Sequence, residues 1–132
     1  MAKLQHDKYY TEESLAQYCV EKTFEIIGNT WERIIEPSVG EGSFMKFLPS
    51  STISIDQFPS ENYTPTYTMD FREYKGEHIS HSLVIGNPPF GWGRANKLSV
   101  QFVKKAMSLG DYASFIQPIS QLNQNRTMKD TE

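Results

Sequence analysis

Asn87, Pro88, Pro89 and Phe90 close a run of β-forming residues, SLVIG, and their types suit a demanding reaction. The lone pair of an exocyclic amine on a nucleobase is delocalised into the ring, so the nitrogen is a poor nucleophile. Removing its proton first needs a very strong base. Two acceptors that hold the N–H bonds and draw the nitrogen toward sp3 geometry open an easier route to methyl transfer. The Asn87 side-chain oxygen is one such acceptor, and the Pro88 carbonyl, stiffened by the consecutive prolines, is another. Phe90 adds a flat face on which an extruded base can stack, a contact worth about 1–3 kcal/mol. Pro-Pro-Phe alone is equally a proline turn with a core ring. The four residues together, at the end of a buried strand, favour the chemical reading.

Three upstream stretches carry further candidates. In EPSVGEG, Gly40 and Gly42 leave room for a ligand to approach the backbone, and the turn enters a segment whose free N–H groups could meet it. The pattern lacks the third glycine of a dinucleotide fingerprint. Glu36 and Pro37 precede the turn. A carboxylate there repels a pyrophosphate and attracts an ammonium or sulfonium, which favours a cationic, amino-acid-bearing cofactor over NAD. In SIDQF, Asp56 ends a strand, where it can accept from a ribose diol or merely start a turn. In TMDF, Asp70 can accept from an adenine amino group while the Phe71 backbone N–H donates to a ring nitrogen. An aspartate at a strand end is also common without any ligand.

These residues need a frame that gathers strand ends. TEESLAQYCVEKTFEII reads as a helix with Thr11 as N-cap, acidic residues in its first turn, and Gly28 closing it. Leu15, Cys19 and Ile26 share one face; Ala16, Val20, Phe24 and Ile27 share the adjoining one. RIIEPSV predicts a strand ending at Pro37. GEGSFMKFL predicts a glycine turn entering a helix, with Phe44, Phe47 and Leu48 inward. TISIDQF is a second strand, and YTPTYTMDF an edge or irregular one because of Pro65. SLVIG has the continuous apolar character of a strand buried on both faces. KLSVQFVKKAMSLG is a helix closed by Gly110, YASFIQPI a fifth strand, and the polar tail starts like a helix. Strands alternating with helices imply an α/β fold with a doubly wound, mostly parallel sheet, whose ligands sit beyond the carboxyl ends of the strands.

The 132 residues suit one domain, and 38% hydrophobic residues suit a globular chain with a real core. No apolar run reaches the roughly 20 residues of a membrane span, and residues 1–14 hold no apolar signal core. The single cysteine, Cys19, excludes an internal disulfide and a cysteine-based zinc cluster, and a small buried residue is its expected role. A reducing, cytoplasmic setting is expected. Net charge is −3, unevenly spread. Residues 1–87 hold seven Lys and Arg against thirteen Asp and Glu, whereas residues 88–132 hold six against three. The segment after the two prolines is thus the basic part. Arg94, Lys97, Lys104 and Lys105 are expected to line an approach for a polyanion, with Trp92 on its rim, although a solvated helix face explains such charges equally well.

Taken together the motifs resemble those of the S-adenosylmethionine-dependent amino-methyltransferases of DNA, specifically the N6-adenine type. KYYTEESLAQYCV resembles the N-terminal cofactor motif, carried by Tyr10 and Thr11, with Glu12 where the family has proline. IIEPSVGEGSF resembles the methionine-binding motif, which implies Glu36 near the cofactor's amino group. ISIDQF resembles the ribose motif and TMDF the adenine motif. NPPF is the family's catalytic motif, and GDYASFIQPISQLNQNR resembles the strand and segment that follow it. The order is that of the gamma class. The resemblance implies a Rossmann-like class I methyltransferase fold, S-adenosyl-L-methionine as cofactor, DNA as partner, and base flipping before transfer.

Family members continue through two more strands, a hairpin and a target-recognition domain, whereas this sequence ends at Glu132 after its fifth strand. The expectation is a fragment of a longer protein, an enzyme completed by a second polypeptide, or a chain that associates with itself, since an unpaired sheet edge is a liability. Related groups using the same four residues modify adenine in RNA or glutamine in proteins. A non-catalytic subunit that binds the cofactor or a partner is the reading of a different class.

Overall fold

One parallel sheet of five strands organises the residues that the computed structural model describes, 11–89 and 96–116, with the backbone alone at 96 and 97. The strands are β1 (Arg33–Glu36), β2 (Ile53–Asp56), β3 (Tyr67–Thr68), β4 (Ser82–Gly86) and β5 (Tyr112–Phe115). Their spatial order is β3-β2-β1-β4-β5, with every pair parallel. The chain steps outward from β1 to β3, then returns to lay β4 on the other side of β1. The order therefore reverses between β1 and β4, and a crevice opens beyond their carboxyl ends. β4 is the central strand: all five of its residues are buried, as expected for a strand covered on both faces.

Helix α1 (Glu13–Ile27) covers one face. Ala16 and Val20 pack on Ile34, Leu83 and Ile85, together with Phe44 and Leu48. Helix α2 (Asn96–Leu109) covers the other, where Phe102, Ala106 and Leu109 meet Ile35, Val84, Ile55 and Phe71. Successive residues of β1 and β4 thus serve opposite cores, the period-2 alternation of a strand. The fold is a doubly wound α/β sandwich of the expected class.

Several local expectations change. Glu12, not Thr11, is the N-cap of α1, and its side chain makes no capping hydrogen bond. Forgoing a cap costs about 1 kcal/mol. Each fully buried aliphatic side chain beneath the helix contributes about 1.5–3 kcal/mol, so packing outweighs the loss. Leu15 and Ile26 lie exposed rather than on the buried stripe, and Thr23 takes the inward position, its hydroxyl 2.7 Å from that of Ser114. Cys19 is half-buried, and burial pushes its thiol pKa up.

The helix expected over 40–48 is only a 3-10 turn, Met45–Phe47. Gly42 has φ +88°, outside the helical region, and Leu48, held extended before Pro49, ends the segment. The residues between them have room for one turn. The irregularity expected around Pro65 is confined to a hydroxyl exchange. Ser54 N–H donates to Thr66 Oγ1 (3.0 Å) and Thr66 N–H donates to Ser54 Oγ (2.9 Å), where Pro65 has no N–H to offer a ladder. β3 is accordingly two residues long.

Arg33 locks the opposite edge of the sheet. Its guanidinium donates to Ser82 Oγ (3.0 Å), to the Glu77 carbonyl (3.0 Å) and to the Leu109 carbonyl, satisfying an oxygen at the end of α2.

Candidate functional site

Glu36 and Asn87 stand at the crevice between the ends of β1 and β4. Glu36 is the last residue of β1 and is 1% exposed. Its Oε1 accepts the Ser38 N–H at 2.8 Å. Gly86 makes the room: a Cβ there would lie 2.6 Å from Oε1. Burial pushes the Glu36 pKa up to about 8; the Ser38 N–H opposes that shift and the nearby Asp56 charge adds to it. Burial thus favours the protonated carboxyl, and a cation beside it would favour the ionised one.

Asn87 follows β4 directly. Its Nδ2 donates to Thr11 Oγ1 at 3.0 Å, and its main-chain carbonyl accepts from Ser38 Oγ at 2.9 Å. Thr11 is held in turn through its own carbonyl, which accepts from Ser43 Oγ at 2.8 Å. A small pocket results, lined by Thr11, Glu36, Ser38, Val39, Gly40, Glu41, Ser43, Phe44 and Asn87. Residues from the chain's beginning, the β1 loop and the β4 end therefore share one lining. Pro37 and Pro88 are buried beside it, and Pro89 is half-buried.

Asp56 joins this site through the loop rather than by lining the pocket. It is 3% exposed; its Oδ2 accepts the Gly40 N–H at 2.7 Å and its Oδ1 the Phe58 N–H at 2.8 Å. It thereby ties the β1 loop to the end of β2. Gly40 takes φ +58°, open to glycine at no steric cost. At Gly42 the space expected for a ligand is filled by Tyr63, whose ring would meet a Cβ at 2.5 Å.

Asp70 and Phe71 do not line the pocket. Asp70 caps the 3-10 turn Phe71–Glu73 by accepting the Arg72 N–H at 2.9 Å, and it also binds the Arg72 guanidinium. That side-chain hydrogen bond holds its carboxyl below the usual range, against the opposing pull of burial. The Phe71 side chain belongs to the core, 1% exposed, with its ring 5.2 Å from that of Phe102.

Tyr10, Phe90, Trp92 and Arg94 lie outside the described residues. Lys97 falls within α2, with its side chain outside the description, and Lys104 on the same helix is exposed. Ser38 and Ser43 were not singled out by sequence. Serines are ordinary in glycine-rich turns, and only the fold shows that both hydroxyls hold the site's backbone.

The donor set fits the amino-acid end of S-adenosylmethionine. The lining combines the buried Glu36 carboxyl with the polar side chains of Thr11, Ser38, Ser43 and Asn87, and none of the described lining residues is a cation, which suits an ammonium group. Among the described residues no cluster of three or more His, Cys, Asp and Glu could hold a metal ion, and no helix is long and apolar enough to cross a membrane.

No protein-family model matches the chain, and no curated protein matches it. Among solved structures the chain is similar to a protein of Pyrococcus horikoshii described as a "putative RNA methyltransferase". The likeness covers 90% of this chain and 68% of that one, at 16% identity and a TM-score of 0.63. Identity that low shows the fold alone, and the fold is the Rossmann-like one of class I methyltransferases.

Proposed function

We propose that this chain is the catalytic core of an S-adenosylmethionine-dependent methyltransferase acting on the N6 amino group of adenine in DNA. The observation that carries the reading is the position of Asn87-Pro88 at the carboxyl end of the central strand, across the crevice from the buried Glu36. The bound cofactor would supply an electrophilic methyl group on a sulfonium. Glu36, once ionised, holds the amino group of its methionine part, and the hydroxyls of Ser38 and Ser43 keep the loop in place. Asn87 Oδ1 and the Pro88 carbonyl accept the two N–H bonds of a flipped adenine. This localises the nitrogen lone pair for attack on the methyl carbon. The N–C bond would form as the C–S bond breaks, leaving a neutral thioether, and the surplus amine proton would pass to water.

Asp56 is the candidate for the ribose and Asp70 with the Phe71 N–H for the adenine ring. Both would have to share atoms that now serve loop ties. Phe90 would supply the stacking face, and Trp92, Arg94 and Lys97 the approach for the polyanion. The polymer partner would be DNA, met inside a reducing cytoplasm.

A second reading keeps the site and changes the polymer to RNA; the description carried by the Pyrococcus horikoshii protein favours it. Incubation with methyl-labelled cofactor and DNA, RNA or protein separates the substrates by where the label goes. Asn87→Ala should abolish label transfer and weaken cofactor binding far less, since it removes an acceptor for the substrate amine while the Glu36 carboxyl remains. Undiminished transfer by that variant refutes the mechanism. Cofactor binding without transfer to any of the three polymers leaves a non-catalytic subunit instead.

A further inference from the structure

We infer that Thr11 is the positioning residue for the Asn87 amide. The inference rests on the reading that Asn87 offers its oxygen to the substrate amine. An amide has two opposite ends of nearly equal size. A half-turn about its terminal torsion replaces the acceptor with a donor, which would repel the N–H bonds it is meant to hold. Something must bind the nitrogen end, and Thr11 Oγ1 does so at 3.0 Å across a sequence separation of 76 residues.

Two further features make this contact specific. Thr11 lies one residue before the N-cap of α1, and threonine is a favoured capping type. Here the cap position goes to Glu12, which makes no side-chain capping bond, while the threonine hydroxyl turns to Asn87. Both partners are also anchored through their main chains. Ser43 Oγ donates to the Thr11 carbonyl and Ser38 Oγ to the Asn87 carbonyl, so the serines of the β1 loop set the distance between them. The loop that lines the pocket and the acceptor that faces the substrate are thus one hydrogen-bonded unit. The resemblance implies a different role for Thr11, contact with the cofactor.

Thr11→Val removes the hydroxyl and keeps the branched shape; Thr11→Ser keeps the hydroxyl. Thr11→Val should lower kcat for methyl transfer by up to about a hundredfold, the scale of a misplaced reacting group, and by far more than it weakens cofactor binding. Thr11→Ser should restore most of the rate. The Asn87 side-chain amide resonances, assigned by their loss in Asn87→Ala, give a readout independent of activity. They should move in Thr11→Val and return in Thr11→Ser. Unmoved resonances overturn the inference, and so does a fall in cofactor affinity that matches the fall in kcat. If the parent protein transfers no methyl group at all, the proposed function fails. In that case resonances that move in Thr11→Val and return in Thr11→Ser still establish that Thr11 orients the amide. An unfolded Thr11→Val, judged by its melting curve, shifts the test to Thr11→Ala with the same readouts.

Discussion

The Glu36 pKa is pushed up to about 8 because the fold takes its carboxyl out of water and sets Asp56 nearby. An unfolded chain would release that proton near the ordinary glutamate value of 4.5. The folded pKa is the higher one, so this group's contribution to stability is complete below about pH 4.5. It falls as pH rises toward about 8 and is constant above. The expected loss is a few kcal/mol across that window. Denaturation midpoints measured at several pH values should fall in the parent protein and stay flatter in Glu36→Gln, which mimics the protonated form. Parallel slopes would mean that the carboxyl is already ionised in the fold. The sequence marks Glu36 through its place before a glycine turn, and in that respect it is readable. The charge state is not, because it depends on Gly86, fifty residues away, leaving space for the side chain. The same limit hides Ser38 and Ser43, whose hydroxyls gain meaning only through partners distant in sequence.

At the scale of elements, strand ends are the readable part. β1, β2 and β4 stop at Glu36, Asp56 and Gly86, each next to a residue of chemical interest, because apolar runs and turn residues mark such boundaries locally. The segment 40–48 misleads because its apolar spacing is helical while its backbone is not: a positive-φ glycine and a proline leave one turn between them. Leu15 and Ile26 mislead in another way. A broad apolar stripe does not say which half of it the sheet will cover. Arg33 gives no local signal, yet it ties β1 to the end of α2. Arg33→Ala removes the donor to Ser82 Oγ and one of two donors to the Leu109 carbonyl, both partly buried, and the donor to the exposed Glu77 carbonyl, while the Ile79 N–H still serves Leu109. That should cost about 0.5–1.5 kcal/mol, read as a lower denaturant midpoint at unchanged slope. A midpoint within experimental scatter of the parent would mean that water replaces the guanidinium fully.

For the molecule as a whole, the sheet has unlike edges. On one side β3 is a two-residue strand, too short to template another chain. On the other, β5 pairs with β4 alone among the described strands, and its face toward α1 opens into an apolar groove lined by Tyr18, Cys19, Ile26, Ile27, Phe115 and Ile116. Tyr18 is 58% and Ile26 76% exposed beside that edge. Such a rim promotes association of chains at high concentration. Replacing both with lysine should reduce concentration-dependent light scattering while leaving the far-ultraviolet dichroism of the fold intact. Scattering that rises equally in both proteins would exonerate this edge.

Arg33 also bears on when the fold can form. Its partners stand 44, 49 and 76 positions further along the chain, and β1 cannot pair on its β4 side until Ser82 exists. Loops of that length must close before their contacts reward the closure, which slows folding. On a ribosome, therefore, α1 waits for Leu83 and Ile85 to cover its apolar face, and the opposite face of β1 waits for Ala106 and Leu109. The protein then matures late and nearly all at once. During that wait the nascent chain, rather than the finished one, is the form most in need of a chaperone.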